Sequence, residues 1–279
     1  MTKKRYPIGI QTFSRIIEGG YVYIDKTDFV WQLVNFSTYT FLSRPRRFGK
    51  SLLTSTIESY FQGRKDLFAG LKIMELEKEW KSYPVLHFDL SAAKHLPPQG
   101  VKDELGIQLS QYEKLYGNAS EETSPGMRLA GLIRRSKELT GQQVVVLIDE
   151  YDAPVLDVLH DNTVLDNIRD VLQEFYQRLK MCEPLIKFCF ITGITKFSQL
   201  SVFSTINNLK NVSMLPAFSA ICGITEQEVR TAFKEEIMGM ADEYECSPEE
   251  MFQKIKLMYD GYHFASRSED IYNPYSLFN

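Results

Sequence analysis

Metal-binding and disulfide signals are missing from this chain of 279 residues. Its four cysteines, Cys182, Cys189, Cys222 and Cys246, form no C-x-x-C pair, and no zinc-ligand spacing surrounds them. Cys182 and Cys189 flank or sit within an apolar run, where a reduced, buried thiol is expected. No segment approaches ~18 consecutive apolar residues, and the start, MTKKRYPIGIQTF, lacks an uninterrupted apolar core. Neither a membrane helix nor a secretory leader is therefore read, and a cytoplasmic protein without a membrane partner is expected. Strong charge of one sign is absent too: 32 Lys and Arg face 36 Asp and Glu, a net of −4. That balance offers no global reason for adhesion to nucleic acid, so such a contact would rest on a local patch such as Arg44, Arg46, Arg47 and Lys50. There is no internal repeat and no low-complexity segment.

What the chain does contain is an alternation of strand and helix signals. Tyr21–Ile24 reads as a short strand, followed by a helix with Asp25 or Thr27 as N-cap and Phe29, Val30, Leu33 and Val34 as its apolar stripe. The run TYTFL leads into RPRRFGKS, after which Leu53, Ile57, Tyr60 and Phe61 mark one face of a helix that Gly63 can end. YPVLHFDLS, VVVLIDE and LIKFCFIT read as further strands, with helices around residues 101–116, 127–139 and 168–179 between them. Such alternation predicts an α/β fold with a parallel sheet. From about Gly223 only helix signals remain. TEQE at Thr225–Glu228 and SPEE at Ser247–Glu250 both have capping-box spacing. The expected division is an α/β core over 1–222 and a small helical, lid-like part over 223–279.

The chemistry concentrates in two places. Gly49, Lys50 and Ser51 complete a G-x-x-x-x-G-K-[ST] phosphate-binding loop except that Arg44 stands at its first glycine, followed by Pro45, which has no N–H. A β-rich run before the tripeptide and an amphipathic helix after it would put the N–H groups of residues 48–51 at a helix N-terminus, a favourable place for an anion. Lys50 would reach the outer phosphates and the Ser51 hydroxyl would ligate Mg²⁺. The lost amide at Pro45 removes a contact worth about 1.5–3 kcal/mol, which the charge and forked donors of Arg46 and Arg47 can offset. The second place is the end of VVVLIDE. A carboxylate there, Asp149, can hold Mg²⁺ through water, and the adjacent Glu150 is placed to orient or deprotonate an attacking water. YPVLHFDLS intervenes in the chain between these two motifs. That added strand, with a glutamate directly after the aspartate, points to the additional-strand class of P-loop proteins. Thr192, at the tip of FCFIT with Lys196 and Ser198 close behind, is a candidate γ-phosphate sensor.

Together YVYIDKT, FLSRPRRFGKSLL, PVLHFDLS, VVVLIDEYDAPV, FITGITKFSQLSVFSTINNL, GITEQEV, YDGYHF and YNPYSLFN resemble the bacterial predicted AAA-ATPase-like family, over essentially the whole chain. The RPRRFGKS loop is itself a hallmark of that family. The resemblance implies an N-terminal P-loop ATPase domain with ATP and Mg²⁺ as ligands, usually joined to a C-terminal PD-(D/E)XK nuclease-like domain. Carried over, Gly49, Lys50 and Ser51, flanked by Arg46, Arg47, Phe48 and Leu52, would bind the nucleotide. Asp149 would serve the metal and Glu150 would be catalytic together with Lys50. The chain ends at Asn279 without a P-D…E-x-K constellation, so a piece of a longer protein is expected, with nucleic-acid contact only through the full-length protein.

Other residues have quieter readings. Asp25, Lys26 and Thr27 could cap a helix or contact nucleotide. Asp152 could support the water site, His87 reads as a core or cleft residue, and Tyr259, Tyr262 and Tyr272 as packing. Three functions stay open on the sequence: an ATPase, a nucleotide-gated switch with little turnover, and a basic-loop DNA-binding module.

Overall fold

The computed structural model describes residues 4–195, 208–259 and 261–278. Among them a five-stranded sheet comprises β1 (Tyr39–Ser43), β2 (Val85–Asp89), β3 (Val144–Asp149), β4 (Ile186–Gly193) and β5 (Lys210–Asn211), in the order β2-β3-β4-β1-β5. Every pairing is parallel. β3 explains why: all six of its residues are buried, so both faces need cover, and the crossover helices supply it. Val144, Val146 and Ile148 pack on one face, where Val101, Leu105, Leu132, Ile168 and Phe175 complete a core. Val145 and Leu147 face the other way, against Val30, Leu53, Ile57, Phe61 and Ile73. The period of two thus sorts one strand's side chains into two cores.

The second of these cores is covered by α1 (Phe13–Glu18), α2 (Thr27–Phe36), α3 (Lys50–Phe61) and α4 (Ile73–Leu76). The first is covered by α5 (Pro98–Tyr116), α6 (Pro125–Thr140), α7 (Ala153–Leu156) and α8 (Asn162–Met181). Gly63, at φ 72°, lies two residues past the end of α3, and the Arg64 amide bonds back to the Ser59 carbonyl at 3.1 Å.

A helical region follows, with α9 (Glu226–Ala232), α10 (Lys234–Glu243), α11 (Pro248–Tyr259) and α12 (Pro274–Phe278) around a two-stranded ribbon of β6 (Ile224–Thr225) and β7 (Ile271–Tyr272). Both capping boxes form: Thr225 with Glu228, and Ser247 with Glu250. Val229, Phe233, Ile237, Phe252 and Tyr272 build a separate apolar cluster. The N-terminal segment joins it, for Tyr6 stacks on Phe233 and Phe278 with ring centroids 5.6 and 5.4 Å away. No helix among the described residues is long and apolar enough to cross a membrane.

Two expectations change. Tyr21–Ile24 forms no strand; Val22 makes one bond to the Arg5 carbonyl, 2.9 Å, and its neighbours line a cleft instead of a sheet edge. The strand inserted between the loop strand and the acidic strand is β4, not β2. Chain order placed YPVLHFDLS between the motifs, but β2 crosses over to the far edge beyond β3.

That exposed edge is blunted by side chains of α5. The Tyr112 hydroxyl accepts from the His87 N–H (2.7 Å) and donates to the His87 carbonyl (2.8 Å), and Gln108 does the same for Asp89 (3.0 and 2.7 Å). Tyr112→Phe keeps the ring but leaves both His87 groups unpaired, so stability should fall by about 1–2 kcal/mol. Thermal unfolding should show this as a Tm loss of roughly 2–8 °C.

Candidate functional site

β1 ends at Ser43, the chain turns through residues 44–49, and α3 begins at Lys50. Gly49 adopts φ 93° and has no atom within 4 Å of where a Cβ would stand, so the backbone is open to a ligand there. α3 has no side-chain N-cap bond. Its first-turn amides therefore border the cleft described below.

Arg44, at the motif's first-glycine position, is 1 % exposed and its φ is not positive. Its guanidinium donates to the carbonyls of Ser43 (2.9 Å), Ser213 (2.7 Å) and Phe218 (2.9 Å), with a longer contact to Ser219 (3.5 Å). Its far face lies over Phe264, 4.1 Å from the ring centroid. No glycine is needed at this position; the left-handed residues are Arg47 (φ 69°) and Gly49. With Arg44 and Lys50 both buried, Arg46 and Arg47 are the exposed cations left from the proposed basic patch, and that patch is smaller than expected.

The acidic strand end lies beside this loop. Asp149 is 2 % exposed, and its carboxyl is pushed up to about 6. Burial is the main cause; the charges of Glu150 and Asp89 add to it, and a hydrogen bond from Ser51 and the charge of Lys50 oppose it. Glu150 has φ 50°, an uncommon conformation for a residue with a side chain. Its carboxylate reaches the Lys50 ammonium at 3.2 Å, while Lys50 also donates to the Pro45 carbonyl at 3.4 Å. Lys50, Ser51, Asp149 and Glu150, drawn from segments about 100 residues apart, thus meet at one point.

Lys50, Ser51 and Glu150 form one end of a cleft of about 520 Å³, a size usual for small-molecule sites, while the buried Asp149 is not part of its lining. Arg46, Arg47, Phe48, Gly49 and Leu52 line it as well. Phe48 points its ring into the protein, against Tyr262 and Phe264 at 4.6 and 5.3 Å, leaving its backbone to the cleft. Arg47 lies over Tyr275, 3.9 Å from the ring centroid. Thr192 is fully buried at the tip of β4 and its hydroxyl donates to the Leu42 carbonyl at 2.8 Å. Lys196 and Ser198 lie outside the described residues.

The N-cap of α2 is Lys26, not Asp25 or Thr27, and no side chain caps it. Asp25, one residue earlier, accepts from the Thr27 amide (2.9 Å) and hydroxyl (2.7 Å) and from the Lys72 amide (2.8 Å), tying the start of α2 to that of α4. Lys26 lines the cleft and pairs with Glu228 of α9 at 2.6 Å; burial lowers its pKa and Glu228 opposes that. Asp152 accepts from the Ile194 and Thr195 amides at 3.0 and 2.6 Å and so holds the chain leaving β4. His87 contacts Glu58 at 2.9 Å; burial lowers its pKa, but Glu58, Asp149 and Asp89 outweigh that and the net shift is upward.

The sequence reading missed the rest of the wall: the Pro7–Gln11 turn, Val22–Ile24, Asp89, Ser91, Lys94, and residues 221–224 and 274–278. Of these, Asp89 carried a readable signal, since it too is a carboxylate ending a strand.

Two expectations follow. Arg44→Gly restores the motif's glycine yet strands three close carbonyl partners, so it should cost about 3 kcal/mol, or roughly 6–12 °C of Tm. Asp149 has a folded pKa of about 6, above the ordinary 3.8, so its contribution is fully present below pH ~3.8 and lost as pH rises through 6. Asp149→Asn should therefore raise apo-protein stability by on the order of 2–3 kcal/mol at pH 7–8. In denaturant titrations across pH that gain should vanish near pH 4.

Comparison with known proteins bears on the family. A protein of Azotobacter chroococcum mcd 1, described as "Uncharacterized protein in vnfD 5'region", is 37% identical over 278 residues. That alignment covers 99% of this chain and 52% of the relative, so the chain spans about half the length of the curated relative it matches. The model of the AAA-ATPase-like family, described as "Predicted AAA-ATPase", matches residues 7–203. Nucleotide binding is what that membership implies: the chain belongs to the predicted AAA-ATPase family.

Proposed function

We propose that this chain binds ATP with Mg²⁺ in the cleft and hydrolyses it by phosphoryl transfer to water. The observation that carries the reading is the meeting of Lys50, Ser51, Asp149 and Glu150 beside uncapped first-turn amides of α3. The donor set suits Mg²⁺: a hydroxyl and a buried carboxylate close enough to influence one another, both hard oxygen ligands. No group of three or more His, Cys, Asp or Glu among the described residues is arranged to hold a metal. When bound, Mg²⁺ would neutralise charge on the outer phosphates.

The chain's own groups then have distinct tasks. The amides of residues 48–51 cradle phosphate, with Arg46 and Arg47 at the cleft mouth. Lys50 leaves Glu150 for the phosphates, which frees Glu150 to take a proton from the attacking water. Thr192, at the β4 tip, would sense the γ-phosphate only by giving up its bond to Leu42.

We assign residues 1–222 to the ATPase core and 223–279 to a lid-like part that passes nucleotide state to a C-terminal effector domain. Three contacts support that coupling: Lys26 with Glu228, Arg47 with Tyr275, and the Phe48 carbonyl with the Gly223 amide at 3.0 Å. The same contacts favour a second reading, a switch that binds tightly and turns over little. With Arg44 and Lys50 buried, the DNA-binding reading is the weaker alternative.

Saturating MgATP, at about 100 times its dissociation constant, should stabilise the protein by roughly 2.7 kcal/mol and raise Tm by several degrees. Lys50→Ala should abolish that rise, and an unchanged rise would sink the nucleotide assignment. Glu150→Gln should keep the rise while phosphate release falls about 10²-fold or more. A wild-type protein that shows the rise without phosphate release would select the switch.

A further inference from the structure

We propose that Asp89 is a second catalytic carboxylate of the site, holding the attacking water between itself and Glu150. This rests on the ATP-hydrolysis reading above. Asp89 ends β2, and its Cα stands opposite that of Asp149 in the parallel register. Neighbouring strands lie ~4.8 Å apart and residues in register share a face, which sets the two carboxylates side by side. Asp89 lines the cleft together with Lys50, Ser51, Glu150 and Lys94.

Its backbone is held on both sides by the Gln108 amide, at 3.0 and 2.7 Å. One carboxylate oxygen, Oδ1, accepts from the Ser91 N–H at 2.9 Å. Among the described residues the other oxygen takes no hydrogen bond and the carboxylate has no cationic partner. Glu150 differs, being tied to Lys50. Glu150 must first give up Lys50 to the phosphates, whereas Asp89 already meets the cleft with an oxygen that takes no hydrogen bond among the described residues. In the step, the water oxygen bonds to the γ-phosphorus as the bond from that phosphorus to the bridging oxygen breaks, its electron pair leaving on ADP. The water's proton passes to a carboxylate of the Asp89–Glu150 pair and then to solvent.

The competing role for Asp89 is structural, because it caps the short turn at Leu90–Ala93. Asn and Ser cap as Asp does but carry no charge, so they separate the two roles. The experiment measures hydrolysis at saturating MgATP, KM, and the MgATP-induced Tm rise for wild type, Asp89→Asn, Asp89→Ser and Asp89→Glu. Expected is a fall in kcat of about 10²-fold for Asn and Ser, with KM and the Tm rise unchanged and partial recovery in the Glu variant. Wild-type kcat in the Asn and Ser variants would overturn the Asp89 role alone, as would a loss confined to KM or to the Tm rise. No hydrolysis by wild type would overturn the ATPase reading, and the Asp89 role with it.

Discussion

A buried guanidinium organises this site. Arg44 leaves the end of β1 and ties its own strand to the carbonyls of residues 213–219, while Phe264 covers its face. Taking a charge out of water is costly unless its donors find acceptors, so the arginine must hold those backbone segments in one arrangement. Arginine suits the task because its flat fork reaches several carbonyls at once, where a lysine would present a point charge. The loop between β1 and α3 is thereby tied directly to the segment leading into the helical region. A glycine at this position would leave the loop more supple and free of that tether.

The second constraint is electrostatic. Asp149, Glu150 and Asp89 gather at two neighbouring strand tips, with Lys50 paired to Glu150. The arrangement is strained: Asp149 is pushed toward its neutral form, and Glu150 adopts an uncommon backbone conformation beside Lys50. Here the Lys50–Glu150 pair serves as the resting partner arrangement of both groups.

The cleft is also shared between distant parts of the chain. Its apolar walls come from the N-terminal turn and from residues 221–224 and 274–278, and its polar end from the loop and the strand tips. A ligand filling it would touch both ends of the described chain together. That places the exit of α12 next to the phosphate loop, where Tyr275 already lies under Arg47.

Much of this was legible in the sequence. Strand and helix alternation gave the parallel sheet because a strand buried on both faces must be uniformly apolar, and Val144–Ile148 is. Gly49, Lys50, Ser51, Asp149 and Glu150 could be singled out as candidates because a tripeptide at a helix start and carboxylates at a strand end are local patterns, and the fold places them next to one another. Capping boxes at Thr225 and Ser247 were readable because they are local. Strand order was not: β2 follows β1 in the chain yet lies at the opposite edge, since crossover direction is a property of the packed sheet. Arg44 looked like a defect or a surface charge, because its partners lie about 170 residues away. Asp89 showed only half of its signal, a carboxylate ending a strand, because its neighbour Asp149 sits on a different strand. Local chemistry is written in neighbouring residues, whereas burial and the meeting of strand tips exist only once the chain has closed on itself.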